Sequence, residues 1–436
     1  MDPVLTVNPP EFTVKTFQNE YLPAGGREVH AVITVTSGGV PDGPAGAGAA
    51  AEIIIIDCSG SMGWGPRIDE ARRAAAAAVD VIRDGVAFAV VAGAHDARTV
   101  YPDDGRLAVA AEDTRAAARE AIGRVNANGG TAMGSWLRLA HHLFSSCPAV
   151  LRHAILLTDG KDHEQKGELE EAIRLCEGVF SCDCRGVGTD WRVPELRKIS
   201  TALLGTVGIV PEPAGLAADF EAMMHASMAK EVADVMLRVW IPQTARVRFV
   251  KQIAPSLDDL TGRRAEAGPQ AGDYPTGAWG AQESRDYHLC VEVEPAEVGQ
   301  VMRAARVSLV LGARSGPEVL GQGMIMATWT DDEELSTRIE PRVADAMDQA
   351  ELAQAIQEGL AARRAGHLQT ATAKLGRAVA LAHASGREDT ARLLARVVDV
   401  VDPVTGTVRL KPEVRDVDEM TLDVETTRIV RRKKEK

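Results

Sequence analysis

Long hydrophobic runs are missing from this chain. No apolar stretch approaches the ~20 residues that a helix needs to cross a bilayer, so no membrane span is expected. The opening residues Met1-Asp2-Pro3-Val4 carry neither a basic nor an apolar segment, so no secretory leader is read there and a cytoplasmic location is expected. Aromatic residues are few, at 4%. Positive charge is in deficit: 49 Lys and Arg against 62 Asp and Glu leave a formal charge of −13. Phosphate binding needs a basic face, which argues against nucleic acid as a partner. The local exception is the end of the chain, where Arg428, Arg431, Arg432, Lys433, Lys434 and Lys436 read as a solvated basic tail. The six cysteines (58, 147, 176, 182, 184 and 290) are scattered unevenly, as free thiols of a reducing compartment would be. Cys176, Cys182 and Cys184 could suggest zinc. Cys182 and Cys184 alternate along a strand-like run, however, and buried thiols are the better reading. No G-x-x-x-x-G-K-[ST] loop, G-x-S-x-G elbow or H-E-x-x-H helix appears, and no enzymatic activity is expected.

What is present is a clear organisation. A chain of 436 residues holds two or three domains. Residues 1–38 contain two strand-like runs, at 11–15 and 29–35, and residues 39–50 form a Gly/Pro-rich linker. Over 51–228 strand and helix alternate. Strands fit at 52–57, 86–92, 152–158, 180–187 and 205–210, and helices fit between them. That alternation predicts a parallel sheet covered on both faces, a doubly wound α/β domain. Residues 229–338 carry strand runs with no long helix between them and read as antiparallel β. Residues 1–38 would complete this region, so the α/β domain is expected as an insertion in a β-sandwich. Residues 339–402 read as a small helical bundle with helices over 343–364, 368–385 and 387–400. Residues 403–436 read as a flexible tail.

The chemistry concentrates in three short motifs. Ile53-Ile54-Ile55-Ile56 is a buried strand running into Asp57-Cys58-Ser59-Gly60-Ser61, at the carboxyl end where α/β sheets place ligands. Asn128-Gly129-Gly130-Thr131 puts a hydroxyl at the start of a helix. Ala154-Ile155-Leu156-Leu157-Thr158-Asp159-Gly160 is a second buried strand ending on an acid. Adjacent parallel strands lie ~5 Å apart, so Asp57, Ser59, Ser61, Thr131 and Asp159 can face one crevice. Carboxylates with hydroxyls form a hard, all-oxygen set suited to Mg²⁺, Mn²⁺ or Ca²⁺.

The order D-x-S-x-S, then Thr, then Asp resembles the metal-ion-dependent adhesion site of von Willebrand factor A domains, over roughly residues 50–228. The resemblance implies a Rossmann-like fold and a Mg²⁺ held directly by Ser59 and Ser61. Thr131 would bind directly or through water, and Asp57 and Asp159 mostly through waters. It leaves one coordination position for an Asp or Glu carboxylate of a protein partner. Trp64, Arg67, Gly130 and Gly160 would border the ion as the partner-binding rim. His141 and His142 are adjacent and point to different helix faces, and His163 reads as an exposed loop residue.

The wider layout resembles bacterial cytoplasmic A-domain proteins of actinobacterial type, often found with Ser/Thr kinases and forkhead-associated domains. That resemblance makes Thr426 and Thr427, in the expected flexible tail, candidate phosphosites. The function expected from these readings is a non-enzymatic scaffold or signalling adaptor that grips a partner carboxylate through its metal. The alternatives are an accessory subunit of an ATPase-driven assembly or chelatase-type complex, and a metal-dependent hydrolase.

Overall fold

The structure, a computed structural model, describes residues 11–38, 50–165, 167–312 and 317–427. Of the linker expected over 39–50, only Ala50 lies among them, and the basic end from Arg428 to Lys436 lies outside them. The chain divides into two compact units, residues 42–233 on the one hand and residues 1–41 with 234–436 on the other.

Strands β1 (Phe12–Gln18), β2 (Tyr21–Pro23) and β3 (Glu28–Ser37) come first. The α/β unit follows. It runs β4 (Ala50–Asp57), α1 (Arg67–Val81), β5 (Ala87–Gly93), β6 (Ala97–Tyr101), β7 (Ala108–Val109), α2 (Glu112–Gly123) and α3 (Met133–Ser145). It continues with β8 (Leu151–Thr158), α4 (Glu168–Cys176), β9 (Ser181–Val187), α5 (Val193–Ala202), β10 (Val207–Val210) and α6 (Leu216–Met228). The sheet order is β10-β9-β8-β4-β5-β6, with β7 also on β5. Strands β10, β9, β8, β4 and β5 are parallel, and β6 and β7 are antiparallel additions.

Ile53 to Ile56 are fully buried because helices cover both faces of the central strand. Ile54 and Ile56 share a core with Ala71, Ala74, Ala75 and Ala78 of α1 and with Phe220, Met223 and Met224 of α6. The small side chains of α1 let α6 lie close beside it. After β4 the chain adds β5 on one side and later β8 on the other. The topological switch point therefore lies between β4 and β8, and their carboxyl ends open a crevice. Gly93 at the end of β5 has a specific role. A Cβ there would stand 2.4 Å from the ring of buried Trp136, whose Nε1 donates to the Ala94 carbonyl at 2.8 Å. That packing seats the start of α3 beside the same crevice.

The second unit takes strands from both flanks. Its later strands are β11 (Lys230–Trp240), β12 (Ala245–Ala254), β13 (Asp258–Asp259), β14 (Ala265–Gly268), β15 (Ala271–Gly280), β16 (Ser284–Val293), β17 (Val301–Leu311) and β18 (Glu318–Thr330). One sheet has the order β1-β3-β16-β12-β13, the other β14-β15-β11-β17-β18-β2. Strand β3 pairs antiparallel with β16, Cys290 opposite His30, and β2 runs parallel to β18. The two sheets close on each other where β1 crosses β18. A Cβ on Gly321 or Gly323 would meet Val14 at 2.9 Å or Thr16 at 2.5 Å. Strands β6, β7 and β13 to β15 were not anticipated. Gly272, Pro275, Gly277 and Gly280 make β15 read as turns, yet its Tyr274 and Trp279 are buried.

The chain continues with α7 (Glu333–Thr337), α8 (Pro341–Arg364), α9 (Leu368–Ala384), α10 (Glu388–Val397), β19 (Val398–Asp402), β20 (Thr407–Leu410) and α11 (Asp416–Glu425). Two expectations are corrected here. The third long helix ends at Val397 and gives way to a β-hairpin. Residues 403–427 are not a flexible tail: Val408 of β20 and Leu422 of α11 share a core with α8, α9 and α10. The polar residues of α11 that suggested mobility are ion-paired, Glu419 with Arg363 and Asp418 with Arg415. Thr426 is buried and its hydroxyl donates to the Leu422 carbonyl, while the Thr427 carbonyl accepts from Leu257 N at 2.8 Å. A phosphosite at Thr426 on a mobile tail is thereby corrected, because a kinase needs an extended, accessible segment. Among the described residues no helix is long and apolar enough to cross a membrane.

Candidate metal centre

The crevice between β4 and β8 is built by three loops that bond to one another through their backbones. Cys58 N donates to Gly93 O at 2.6 Å, and Asn128 N donates to Cys58 O at 2.6 Å. Gly60 N donates to Gly129 O at 2.9 Å, and His163 N donates to Thr131 O at 2.8 Å. Gly129 turns with φ +89°, a left-handed conformation that side chains disfavour, and a Cβ there would meet His95 Nδ1 at 2.6 Å.

These loops carry the five oxygen-bearing residues named from the sequence into one place. Asp57 and Asp159 are fully buried, and Ser59 and Thr131 nearly so. Ser59 N donates to Asp57 Oδ1 at 2.7 Å, and Ser61 Oγ donates to Asp159 Oδ1 at 2.6 Å. The hydroxyls of Ser59 and Ser61 are 3.0 Å apart. Thr131 is located by Gly160: a methyl on Gly160 would lie 3.0 Å from Thr131 Oγ1, 3.8 Å from Ser61 Oγ and 3.9 Å from Asp57 Oδ2. Oxygens from all three loops thus surround one point, kept open by the missing side chain of Gly160.

The electrostatics suit a cation. Burial pushes the Asp57 carboxyl up to about 6, against hydrogen bonds from Thr158 and Ser59. Both of those donors are neutral, and a buried carboxylate without a countercharge is costly. Asp159 has one countercharge, the Arg67 guanidinium, whose Nη1 donates to Oδ2 at 2.7 Å. Arg67 Nη2 also reaches Asp190 Oδ2 at 3.2 Å. The donors are hard oxygens, the two acids are dry, and the cradle is open, so the residues fit a divalent ion that prefers oxygen. Burial raises the neighbouring Cys58 thiol to about 12, and its Sγ faces the Ile56 carbonyl at 3.3 Å, away from any ligand role.

Of the rim residues, Arg67 and Gly160 stand at the cluster. Gly130 lies one residue before Thr131, close to His163 and His95. Trp64 is 78% exposed, so it does not cover the core. Several contributors were missed in the sequence. Thr158 Oγ1 donates to Asp57 Oδ2 at 2.6 Å and orients that carboxylate. Asp162 and Glu164 cap α3: Asp162 Oδ1 accepts from Met133 N at 3.0 Å, and Glu164 accepts from Gly134 N at 2.6 Å and Ser135 N at 3.1 Å. Acids aimed at a helix N-terminus are favourable, and here they fasten the Thr131 loop to the Asp159 loop. The clue was an acidic loop directly after Asp159-Gly160.

The profile of the von Willebrand factor type A domain matches residues 51–209, and that of the von Willebrand factor type A C-terminal domain matches residues 380–426. Among solved structures, a von Willebrand factor type A protein from Catenulispora acidiphila is 52% identical. The match covers 98% of this chain and 99% of that one, with a TM-score of 0.92. The ArnB paralog VWA2 from Sulfolobus acidocaldarius shares the fold at 14% identity, over 96% of this chain and 98% of that one, with a TM-score of 0.56. No curated protein matches.

Proposed function

Since the chain belongs to the von Willebrand factor type A family, we propose that Asp57, Ser59, Ser61, Thr131 and Asp159 form a metal-ion-dependent adhesion site that takes Mg²⁺ and grips an acidic side chain of a protein partner. The observation that carries this reading is the convergence of oxygens from three loops around the open face of Gly160, beside two fully buried acids. Ser59, Ser61 and Thr131 would hold the ion, with Asp57 and Asp159 behind them. A bound Mg²⁺ supplies an electrophilic position for a carboxylate oxygen.

The chain's own residues do the rest. Thr158 and the Ser59 amide fix the Asp57 carboxylate, and the caps from Asp162 and Glu164 hold Thr131 in place. Arg67 stands beside Asp159 as a second cationic group, its Nη1 and Nη2 engaged by Asp159 and Asp190. Among the described residues the site contains no group placed as a general base, since both acids are engaged in the cluster. We therefore read the protein as a non-enzymatic, cytoplasmic interaction module rather than a hydrolase. The buried hydroxyl of Thr426 removes one support for a link to Ser/Thr kinases and forkhead-associated domains.

The test begins with Mn²⁺ binding to the full chain, followed by electron paramagnetic resonance for wild type, Ser61→Ala and Asp159→Ala. Binding in wild type that both variants lose supports the site. A lysate capture then compares wild type in Mg²⁺, wild type in EDTA and Asp159→Ala in Mg²⁺. A partner held only in the first sample supports metal-gripped recognition, and a partner held in all three refutes it.

A further inference from the structure

A second cluster of metal-binding side chains lies on the β3–β16 pair, in the unit that does not contain the adhesion site. Glu28 and His30 are two residues apart on β3 and share a face. Cys290 stands opposite His30 in the register, with His288 two residues before it on the same face of β16. His30 Nε2 is 3.8 Å from Cys290 Sγ and 3.8 Å from Glu28 Oε2. One ligand atom from each of Glu28, His30 and Cys290 can be chosen so that all lie within 4.8 Å of one another.

We propose that Glu28, His30 and Cys290 form a zinc site that clips β3 to β16. The donor set is one thiol, one imidazole and one carboxylate, which is the mixture zinc accepts and magnesium does not. With Zn–S of ~2.3 Å and Zn–N of ~2.0 Å, tetrahedral ligands stand ~3.5 Å apart, so the two His30 contacts at 3.8 Å need contract by only a few tenths of an ångström, and the Cys290–Glu28 pair, within 4.8 Å, closes by rotation of the half-exposed Glu28 side chain. Cys290 and His30 are mostly buried while Glu28 is half exposed, which leaves an approach from solvent and a fourth position for water.

The surroundings point the same way. His30 Nδ1 faces His288 Nε2 at 3.2 Å. Two facing ring nitrogens share one proton. If the Nε2 lone pair of His30 is given to zinc, Nδ1 carries the proton and His288 accepts it. Outer acceptors of this kind fix the tautomer of a ligating histidine. His288 is itself buried, and its Nδ1 has no hydrogen-bond partner among the described residues. Contrast His153, whose two nitrogens are both engaged by carboxylates and leave no lone pair for a metal. On binding, Cys290 loses its thiol proton to solvent and the sulfur–zinc bond forms. The clip would join segments 260 residues apart in sequence.

The experiment uses the full chain and Co²⁺ as a spectroscopic stand-in, with Zn²⁺ as competitor. The expected result is a sulfur-to-cobalt charge-transfer band that Zn²⁺ abolishes, together with a Zn²⁺-dependent rise in melting temperature. Cys290→Ser should lose the band. Asp159→Ala should keep it, which separates this site from the oxygen-only cluster. Glu28→Gln, a surface change that leaves folding intact, should weaken Co²⁺ binding at least tenfold. His288→Leu, at a positioning residue, should weaken it about 10–100-fold while the band stays at the same wavelength. Absence of a band in wild type, its survival in Cys290→Ser, or unchanged affinity in Glu28→Gln would each overturn the proposal.

Discussion

At the amino ends of the central strands, opposite the candidate metal centre, His153 is clamped between two acids, and replacing it should unsettle the whole α/β unit. His153 Nδ1 lies 2.7 Å from Glu52 Oε2, and Nε2 lies 3.1 Å from Asp183 Oδ2. Glu52 is nearly fully buried and receives a further hydrogen bond from Ser227 of α6 at 2.5 Å, so the cluster ties β4, β8 and β9 to that helix. Burial disfavours the imidazolium, but Glu52 and Asp183 outweigh it and raise His153 to about 10. Relative to an ordinary value near 6.5, that favours the charged form by about 5 kcal/mol. His153→Ala leaves Glu52 buried without its cation, a loss of ~3–5 kcal/mol for a broken buried pair. The bonds from Ser227 and from Thr206 to Asp183 offset part of that, so we expect ~3 kcal/mol. The pH dependence has a definite sign. His153 is raised, so its contribution is fully present below about pH 6.5 and declines by ~1.4 kcal/mol per unit as pH climbs towards 10. Asp183 is lowered by its bonds to His153 despite burial, so its contribution is present above about pH 4 and lost as pH falls further. Hydrogen exchange of the peptide carrying Ile53–Ile56, read by mass spectrometry at pH 6, 7.5 and 9 and corrected for intrinsic rates, measures this unit separately from its neighbour. Protection that is flat across the series in wild type, or unchanged in His153→Ala, would refute the reasoning.

Two further changes probe the metal centre. Gly160→Val fills the point on which Thr131, Ser61 and Asp57 converge, so Mn²⁺ binding should fall at least tenfold while circular dichroism stays that of wild type. Arg67→Ala removes the guanidinium 2.7 Å from Asp159 Oδ2, and the freed charge should tighten Mg²⁺ binding about 2–10-fold by calorimetry, with a smaller gain at high salt. Weaker Mg²⁺ binding in Arg67→Ala would mean that the guanidinium positions Asp159 rather than competing with the ion.

The α/β sheet was legible because its causes are local. An isoleucine run needs two covered faces, and an acid followed by glycine at its end needs a turn. Each of the three site motifs satisfies such a local rule, so their meeting at the β4–β8 switch point followed from strand order. The supporting shell was not legible. Thr158, Asp162, Glu164 and Asp190 act across loops, and apart from the acids that follow Asp159-Gly160 nothing in their own neighbourhood marks them as supports of the site.

Composition misled where polar residues are answered by distant ones. The segment after Pro403 looks solvated because it is rich in acids, yet Glu419 and Asp423 face Arg363 and Arg364 of α8, and Leu422 is fully buried between. Strand β15 looks like turns because glycine and proline weaken its local preference, yet sheet partners and the burial of Tyr274 and Trp279 hold it. The same blindness explains the cysteines. Proximity in sequence drew attention to Cys182 and Cys184, whose sulfurs lie 4.0 Å apart within a buried strand. Cys290 was passed over because its neighbours, His30 and Glu28, are encoded before the α/β unit begins. Inserting that unit between the two halves of a sandwich separates in sequence what the sheet register brings face to face. A metal clip at that junction would join strands 260 residues apart in sequence, where the entropic cost of bringing them together is large, since closure cost grows with the length of the intervening chain.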